Sequence, residues 1–162
     1  MTEKQSKLTG IVNNAVSNFN THEQYLIEND LSERCICSKF ASYLEKEIAL
    51  SVFHDYTVDV EYNRGNECIW NNPKCLDETK IVVDLIVHKR GCNDNLICIE
   101  MKKGYKGYEY SSDEARLYKL TNINFNYSSG FMILIDRSKK RNAYGLKIKS
   151  SFYNELYLVN IN

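Results

Sequence analysis

Two short apolar runs joined by a turn constrain the fold of this chain more than any other feature. The first run covers residues 81–88, the second covers residues 96–102, and both are rich in β-branched side chains. Gly91 to Asn95, which lie between them, have the composition of a hairpin turn. The sequence therefore predicts two antiparallel strands at the centre of a β-sheet.

The segments on either side of this hairpin predict an α/β fold. Helical spacing of apolar residues and a capping motif predict three helices, over about Leu8–Phe19, Asp30–Ala49 and Ser111–Asn122. Alternating or continuous apolar runs predict further strands over Thr57–Tyr62, Phe131–Asp136, Tyr144–Lys149 and Leu156–Ile161. The chain has 162 residues, of which 43% are hydrophobic, and no repeat or linker divides it. We therefore expect one domain over residues 1–162.

Composition narrows the possible functions. The chain carries 21 basic and 21 acidic residues, so no overall field draws it to a polyanion and a nucleic-acid contact would need a local basic patch. The apolar runs are too short to cross a bilayer, and because residues 1–7 are charged and polar we expect no secretory signal. Six cysteines without a CxxC pair indicate reduced thiols rather than a zinc site. We expect a cytoplasmic protein with no membrane partner.

Charged residues inside the two central strands are the main functional signal. Asp84 interrupts the first strand, and Glu100 and Lys102 end the second, where an unpaired charge is costly to bury. Side chains alternate along a strand, so Glu100 and Lys102 share one face. In one even register Asp84 faces Glu100 and His88 faces Leu96, whereas a shift by two residues places Asp84 opposite Lys102. An odd register would separate the two acids, so we expect an even one.

Asp84 and Glu100 together predict a cation site. Opposed side chains in a sheet have Cβ atoms about 4.5–5.5 Å apart, which allows two carboxylates to share one ion. Two carboxylates with water and a main-chain carbonyl, here assigned to Met101, suit Mg²⁺ or Mn²⁺ better than zinc. Such an ion favours phosphodiester hydrolysis, in which Lys102 can position the water or neutralise phosphate charge. The alternative is a buried ion pair between Lys102 and one of the two acids.

Glu33 is a third candidate acid. It precedes Ile36 by three residues and Phe40 by seven, so it continues the apolar face of its predicted helix. Its place in the first helical turn, at capping-box spacing from Asp30, equally suits a capping acid. Both interpretations stay open.

These residues, in this order, resemble the PD-(D/E)XK, or restriction-endonuclease-like, nuclease superfamily. The resemblance covers Glu33 on the leading helix, Val83-Asp84, the triplet Glu100-Met101-Lys102 and the helix–strand unit that follows, with Val83 in place of the family's proline. It implies an αβββαβ core whose central mixed sheet is flanked by helices, with an extra N-terminal helix and C-terminal edge strands. It also implies that Asp84 and Glu100 bind metal, that Lys102 assists the nucleophilic water and that Glu33 joins the site.

Four basic residues are candidates for binding a nucleic-acid backbone. His88 lies four residues after Asp84 on the same strand face, and Lys103 belongs to a local basic patch. Arg64 and Arg116 can each bind a phosphate through a bidentate fork. The alternatives are a solvated histidine at the hairpin end and surface ion pairs for the arginines.

The sequence favours a Mg²⁺- or Mn²⁺-dependent endonuclease that hydrolyses DNA or, as a second choice, RNA. The alternative is a non-catalytic nucleic-acid-binding or protein-interaction domain on the same fold, acting in phage or plasmid defence. The formal net charge of zero is compatible with this alternative. In a third hypothesis a partner subunit supplies DNA recognition, and a homodimer or a larger complex is compatible with each.

Overall fold

The computed structural model describes residues 1–64, 73–104, 111–138 and 143–154. The helices in these ranges are α1 (Glu3–His22), α2 (Gln24–Glu28), α3 (Glu33–Ala49) and α4 (Ser111–Lys119). The strands are β1 (Thr57–Tyr62), β2 (Cys75–Leu76), β3 (Thr79–Lys80), β4 (Val83–Lys89), β5 (Asp94–Gly104), β6 (Ser129–Ser138) and β7 (Ala143–Tyr153). The predicted α/β class is confirmed. The predicted strand over residues 156–161 lies outside the described residues.

Five strands form one mixed sheet in the order β1-β4-β5-β6-β7. Neighbouring strands are antiparallel except β5 and β6, which are parallel and are connected through α4. A parallel pair needs such a crossover, because a hairpin can join only antiparallel strands. Strands β2 and β3 form a separate two-stranded hairpin. Each has only two residues, which is too short for an alternation of polar and apolar residues to predict it.

The central hairpin has the predicted even register over most of its length. Leu85 pairs with Ile99 and Val87 pairs with Ile97, which is the register in which Asp84 faces the Glu100 position. The register then shifts by one residue, so that His88 pairs with Asn95. The predicted pairing of His88 with Leu96 is therefore wrong. A β-bulge near the turn absorbs the shift, and turn geometry is not visible in an apolar pattern.

Helices cover both faces of the sheet. The apolar faces of α1 and α3 pack on one side, against β-strand residues that include Leu85, Ile97, Ile99 and Met101. Helix α4 packs on the other side, where Leu117 and Leu120 join a second buried cluster. That cluster contains Ile86, Cys98 and Met132. The strand residues therefore divide between two cores according to their alternation.

Side-chain caps define the starts of the two long helices. Thr2 and Gln5 form a capping box at the start of α1. At α3 the capping residue is Ser32, whose hydroxyl accepts a hydrogen bond from the Cys35 N–H at 3.2 Å. Asp30 lies outside the helix with a φ of 54°. Helix α3 therefore begins at Glu33, three residues after the predicted start at about Asp30, and Ser32 takes the capping place that the sequence suggested for Asp30.

The end of α4 is held close to the sheet. A π-helical turn, Leu120–Asn124, continues the helix where the sequence predicted ordinary α-helix to about Asn122. A Cβ atom on Gly130 of β6 would lie 3.0 Å from Thr121 Cγ2 and 3.2 Å from Cys98 Sγ. Only glycine therefore lets this turn approach β5 and β6 so closely.

Two chemical properties of the described residues bear on function. None of the helices among them has the length and apolar character needed to cross a membrane. The five cysteines they include are all free thiols, namely Cys35, Cys37, Cys75, Cys92 and Cys98.

Candidate functional site

Asp84 lies just beyond the last residue pair of the β4–β5 ladder. That ladder runs from Lys89 back to Leu85, whereas Val83 pairs with β1. At this point the Met101 N–H donates a hydrogen bond of 2.8 Å to Asp84 Oδ2. The aspartate side chain is thus tied to the backbone of β5 beside Glu100.

Glu100 is a buried carboxyl group next to a second carboxyl group. Its exposure is only 1%, and it lies within hydrogen-bonding reach of Asp84. Burial, followed by the charge of Asp84, raises the pKa of Glu100 well above its usual range, while Arg116 opposes the rise. Two acids that repel each other in a buried setting favour either a shared proton or a bound cation.

The contact between Glu100 and Arg116 is an ion pair without a hydrogen bond. Arg116 Nε lies 2.9 Å from Glu100 Oε1, yet the angles do not suit a hydrogen bond. Both atoms are buried and neither has another hydrogen-bond partner. The strength of a hydrogen bond depends on the angle at the donor as well as on the donor–acceptor distance. Glu100 Oε1 is therefore a buried acceptor without a hydrogen bond, although Arg116 Nε is close.

Asp113 is an acid of this region that sequence reasoning missed. It is 8% exposed, and its Oδ1 lies 2.7 Å from Arg116 Nη2. Its charge also acts on Glu100 and Lys102. A signal was available, because Asp113 lies four residues before the apolar Leu117 and so shares the sheet-facing side of α4.

Lys102 lies among several carboxylates. Its Nζ is 3.5 Å from Glu33 Oε1, and the Lys103 N–H donates a 3.0 Å hydrogen bond to Glu33 Oε2. Burial lowers the pKa of Lys102, but the negative charges of Asp84, Glu33 and other acids outweigh it and the net pKa is raised. Lys102 is therefore an ammonium at neutral pH. Glu33 combines both interpretations of the sequence, since it begins α3 and also contacts β5 at the site.

The structure brings the remaining basic candidates to different places. Lys103 Nζ pairs with Asp30 Oδ1 at 2.7 Å, next to the Glu33 contact. Arg64 is exposed, and its backbone forms an isolated bridge with Pro73. Within the described residues no contact links Arg64 to the acids of the site.

His88 lies in a separate polar cluster. It is 4% exposed and donates a 2.9 Å hydrogen bond from Nε2 to Asp59 Oδ2, which also accepts from Arg90 Nε at 2.8 Å. Burial lowers the pKa of His88 despite the opposing effect of Asp59. His88 lies four steps along β4 from Asp84, or about 13 Å at the usual rise, so the two do not share a site.

The donor set suits a hard divalent cation. Asp84 and Glu100 supply carboxylate oxygens, and Oε1 of Glu100 is buried without a hydrogen-bond partner. Oxygen ligands of this kind suit Mg²⁺ or Mn²⁺. In the described ranges, no group of three or more His, Cys, Asp or Glu side chains is arranged to hold a metal ion. An ion here would therefore depend on two carboxylates, water and the main chain, and ligation by the Met101 carbonyl stays a prediction.

A buried lysine on the α4 side of the sheet was also missed. Lys74 is 1% exposed, and its Nζ donates a 2.5 Å hydrogen bond to the Tyr127 hydroxyl. The same Nζ lies 4.8 Å from the ring centre of Phe125, 4.9 Å from that of Tyr127 and 5.9 Å from that of Tyr62. Burial lowers the pKa of Lys74 to about 8. Nothing in the polar stretch around Pro73 signalled this environment.

No family model, no curated protein and no solved structure matches this chain. Its function is therefore inferred from the geometry of the site.

Proposed function

We propose that this chain is a Mg²⁺- or Mn²⁺-dependent nuclease that hydrolyses the phosphodiester backbone of nucleic acid, with DNA as the first substrate to test. The observation that carries the proposal is the buried Glu100 carboxyl group, whose Oε1 has no hydrogen-bond partner, beside Asp84. The Lys102 ammonium is the third functional group of the proposed site. This combination of two acids and a lysine at one end of a central hairpin supports hydrolytic chemistry on a phosphate ester.

The order of elements supports a restriction-endonuclease-like fold for this site. Helix α3 is followed by β1, β4 and β5, and then by α4 and β6, which matches an αβββαβ core apart from the small β2–β3 hairpin. The strand β5 that carries Glu100 is central in the sheet. Fold resemblance alone does not determine activity, so the proposal depends on the site.

Each site residue has a role in the proposed reaction. Asp84 and Glu100, with the Met101 carbonyl, would hold the ion. When bound, such an ion lowers the pKa of water and stabilises charge on the phosphate oxygens. Lys102 places a positive charge where the phosphate and the attacking water meet, and Glu33 orients Lys102 through the 3.5 Å contact.

Two further residues would bind the substrate backbone. Lys103 follows Lys102 along β5, and Arg116 contacts Glu100 from α4. Arg64 is exposed and would act only at a more distant phosphate. His88 is not one of the proposed substrate-binding residues, because its hydrogen bond to Asp59 holds it in a separate polar cluster.

A cleavage assay with matched variants tests the proposal. The purified chain should nick supercoiled plasmid DNA with Mg²⁺ or Mn²⁺, and chelation should stop the reaction. Asp84→Asn, Glu100→Gln and Lys102→Met should each lower the rate about 10²-fold or more. Glu114→Gln is the control, since it removes an acid from α4 whose Oε1 pairs with Lys149 at 2.8 Å. Activity that persists in the first three variants would remove the assignment.

A non-catalytic nucleic-acid-binding or protein-interaction domain is the second candidate. The pairing of Arg116 with Glu100 and of Lys102 with Glu33 favours it, because these contacts neutralise charges that a nuclease would use. Calorimetric titration with Mn²⁺ separates the candidates. A chain that takes up no Mn²⁺ at millimolar concentration has no working two-carboxylate site. For either candidate we propose a cytoplasmic setting, with a homodimer or a larger complex still to be tested.

A further inference from the structure

Arg116 bridges two acids on facing elements. From α4 it reaches Glu100 on β5 with Nε and Asp113 on its own helix with Nη2. The two contacts differ in quality. The contact with Asp113 is a directed hydrogen bond of 2.7 Å, whereas the contact with Glu100 leaves both atoms without a hydrogen bond.

We propose that Arg116 is an internal counter-cation that competes with the divalent metal ion for Glu100 and so sets the affinity of the site. This inference rests on the proposed function, since it presupposes that Asp84 and Glu100 hold the ion. In the free protein the guanidinium balances the buried carboxyl group. When the ion binds, Arg116 leaves Glu100 and keeps Asp113 as its anchor.

The contacts of Arg116 suit this exchange. Its departure from Glu100 costs little hydrogen bonding, because no directed bond is broken. The bond to Asp113 fixes one end of the guanidinium, so the side chain can turn about this contact. Its side chain is 27% exposed, compared with 1% for that of Glu100, so part of the Arg116 side chain already contacts solvent.

Lys102 is less suited to the role of competitor. Its Nζ lies 3.5 Å from Glu33 Oε1 of α3, so the nearest acid to its charge is Glu33 and not Glu100. The neighbouring Lys103 is engaged with Asp30. Arg116 is therefore the cation whose displacement most directly uncovers Glu100.

Calorimetric titration with Mn²⁺ alone tests the inference. Arg116→Met should bind Mn²⁺ with a Kd about tenfold lower than the wild type, because a positive charge next to Glu100 is gone. Lys119→Met is the matched control, since it removes one positive charge from the same helix at a residue that pairs with the exposed Asp77. Its Kd should stay within about twofold of the wild type, because solvent and salt screen exposed charges.

Thermal unfolding provides a second readout that does not depend on activity. Without metal, Arg116→Met should unfold at a lower temperature than the wild type, since two buried acids lose their counter-charge. Saturating Mn²⁺ should raise its Tm more than it raises that of the wild type. Arg116→Gln, which keeps a polar side chain, is measured beside Arg116→Met in both experiments, so that poor folding of one variant does not decide the result.

The outcomes separate the inference from the proposed function. An unchanged or weaker Mn²⁺ affinity in Arg116→Met and Arg116→Gln, with binding still abolished by Asp84→Asn, overturns the role of Arg116 and leaves the metal site intact. Failure of every variant and of the wild type to bind Mn²⁺ overturns both. Tighter binding in both Arg116 variants and not in Lys119→Met supports the competition.

Discussion

Replacing Lys74 by methionine should remove the gain in stability that we expect the deprotonation of Lys74 to bring at alkaline pH. Lys74 is 1% exposed, and its described partners are neutral, namely the Tyr127 hydroxyl and three aromatic rings. Burial lowers its pKa from an ordinary 10.5 to about 8. Methionine has a similar length and no charge to bury, so it removes the titration and keeps most of the volume.

The direction of the effect follows from the two pKa values. Between pH 8 and pH 10.5 the folded chain has released the Lys74 proton while the unfolded chain still holds it. The unfolded state then binds more protons, so the free energy of unfolding rises with pH across this window. Below pH 8 the full cost of the buried ammonium is present. At about 1.4 kcal/mol per pH unit, the whole window corresponds to about 3 kcal/mol.

Urea unfolding at a series of pH values from about 7.5 to about 10.5 measures this difference. The free energy of unfolding of the wild type, minus that of Lys74→Met, should increase by about 3 kcal/mol over the series. Other groups that titrate in this range, including the tyrosines, are present in both proteins and largely cancel. Lys80→Met, which removes an exposed lysine of β3, is the control and should follow the wild type. Parallel curves for the wild type and Lys74→Met would refute the reasoning.

Two further predictions concern the stability of the fold. Gly130→Ala should lower stability by about 1–3 kcal/mol in urea unfolding, since its Cβ would lie 3.0 Å from Thr121 Cγ2. Adding Thr121→Ser, which removes that methyl group and keeps the hydroxyl, should restore part of the loss; no recovery would place the strain elsewhere. Asn20→Ala should cost about 1–3 kcal/mol, because its amide accepts a 2.6 Å hydrogen bond from Leu146 N and donates a 2.9 Å one to Leu146 O. An unchanged midpoint in thermal unfolding would contradict this value.

The central hairpin and the positions of its acids could be predicted from the sequence, because they depend on local periodicity. An aspartate within an apolar strand and a glutamate at the end of the next can be brought together only by an even register, and the pairing of Leu85 with Ile99 has that register. The bulge at His88 could not be predicted from the sequence. A shift of one residue near a turn depends on backbone geometry, which leaves the apolar pattern unchanged.

Residues whose environment comes from distant segments were the main omissions. Lys74 follows a proline in a polar stretch, and its burial depends on Tyr62, Phe125 and Tyr127, which come from two other parts of the chain. The spacing of Asp113 from Leu117 indicates the side of α4 on which it lies, but its closeness to Glu100 depends on how α4 crosses the sheet. Such environments are tertiary, so propensity does not indicate them, and spacing indicates only the side of an element on which a residue lies.

The crossover through α4 gives the candidate site a place in the order of folding. The β4–β5 hairpin joins near neighbours in the chain, but Glu33 precedes it by many residues, and Arg116 arrives only with the helix that leads to the parallel β6. Contacts between distant segments close late, because chain entropy must be overcome first. A chain arrested at the hairpin would have Asp84 and Glu100 without their counter-charges. Control of the proposed ion site by Arg116 would then be a property of fully folded molecules alone.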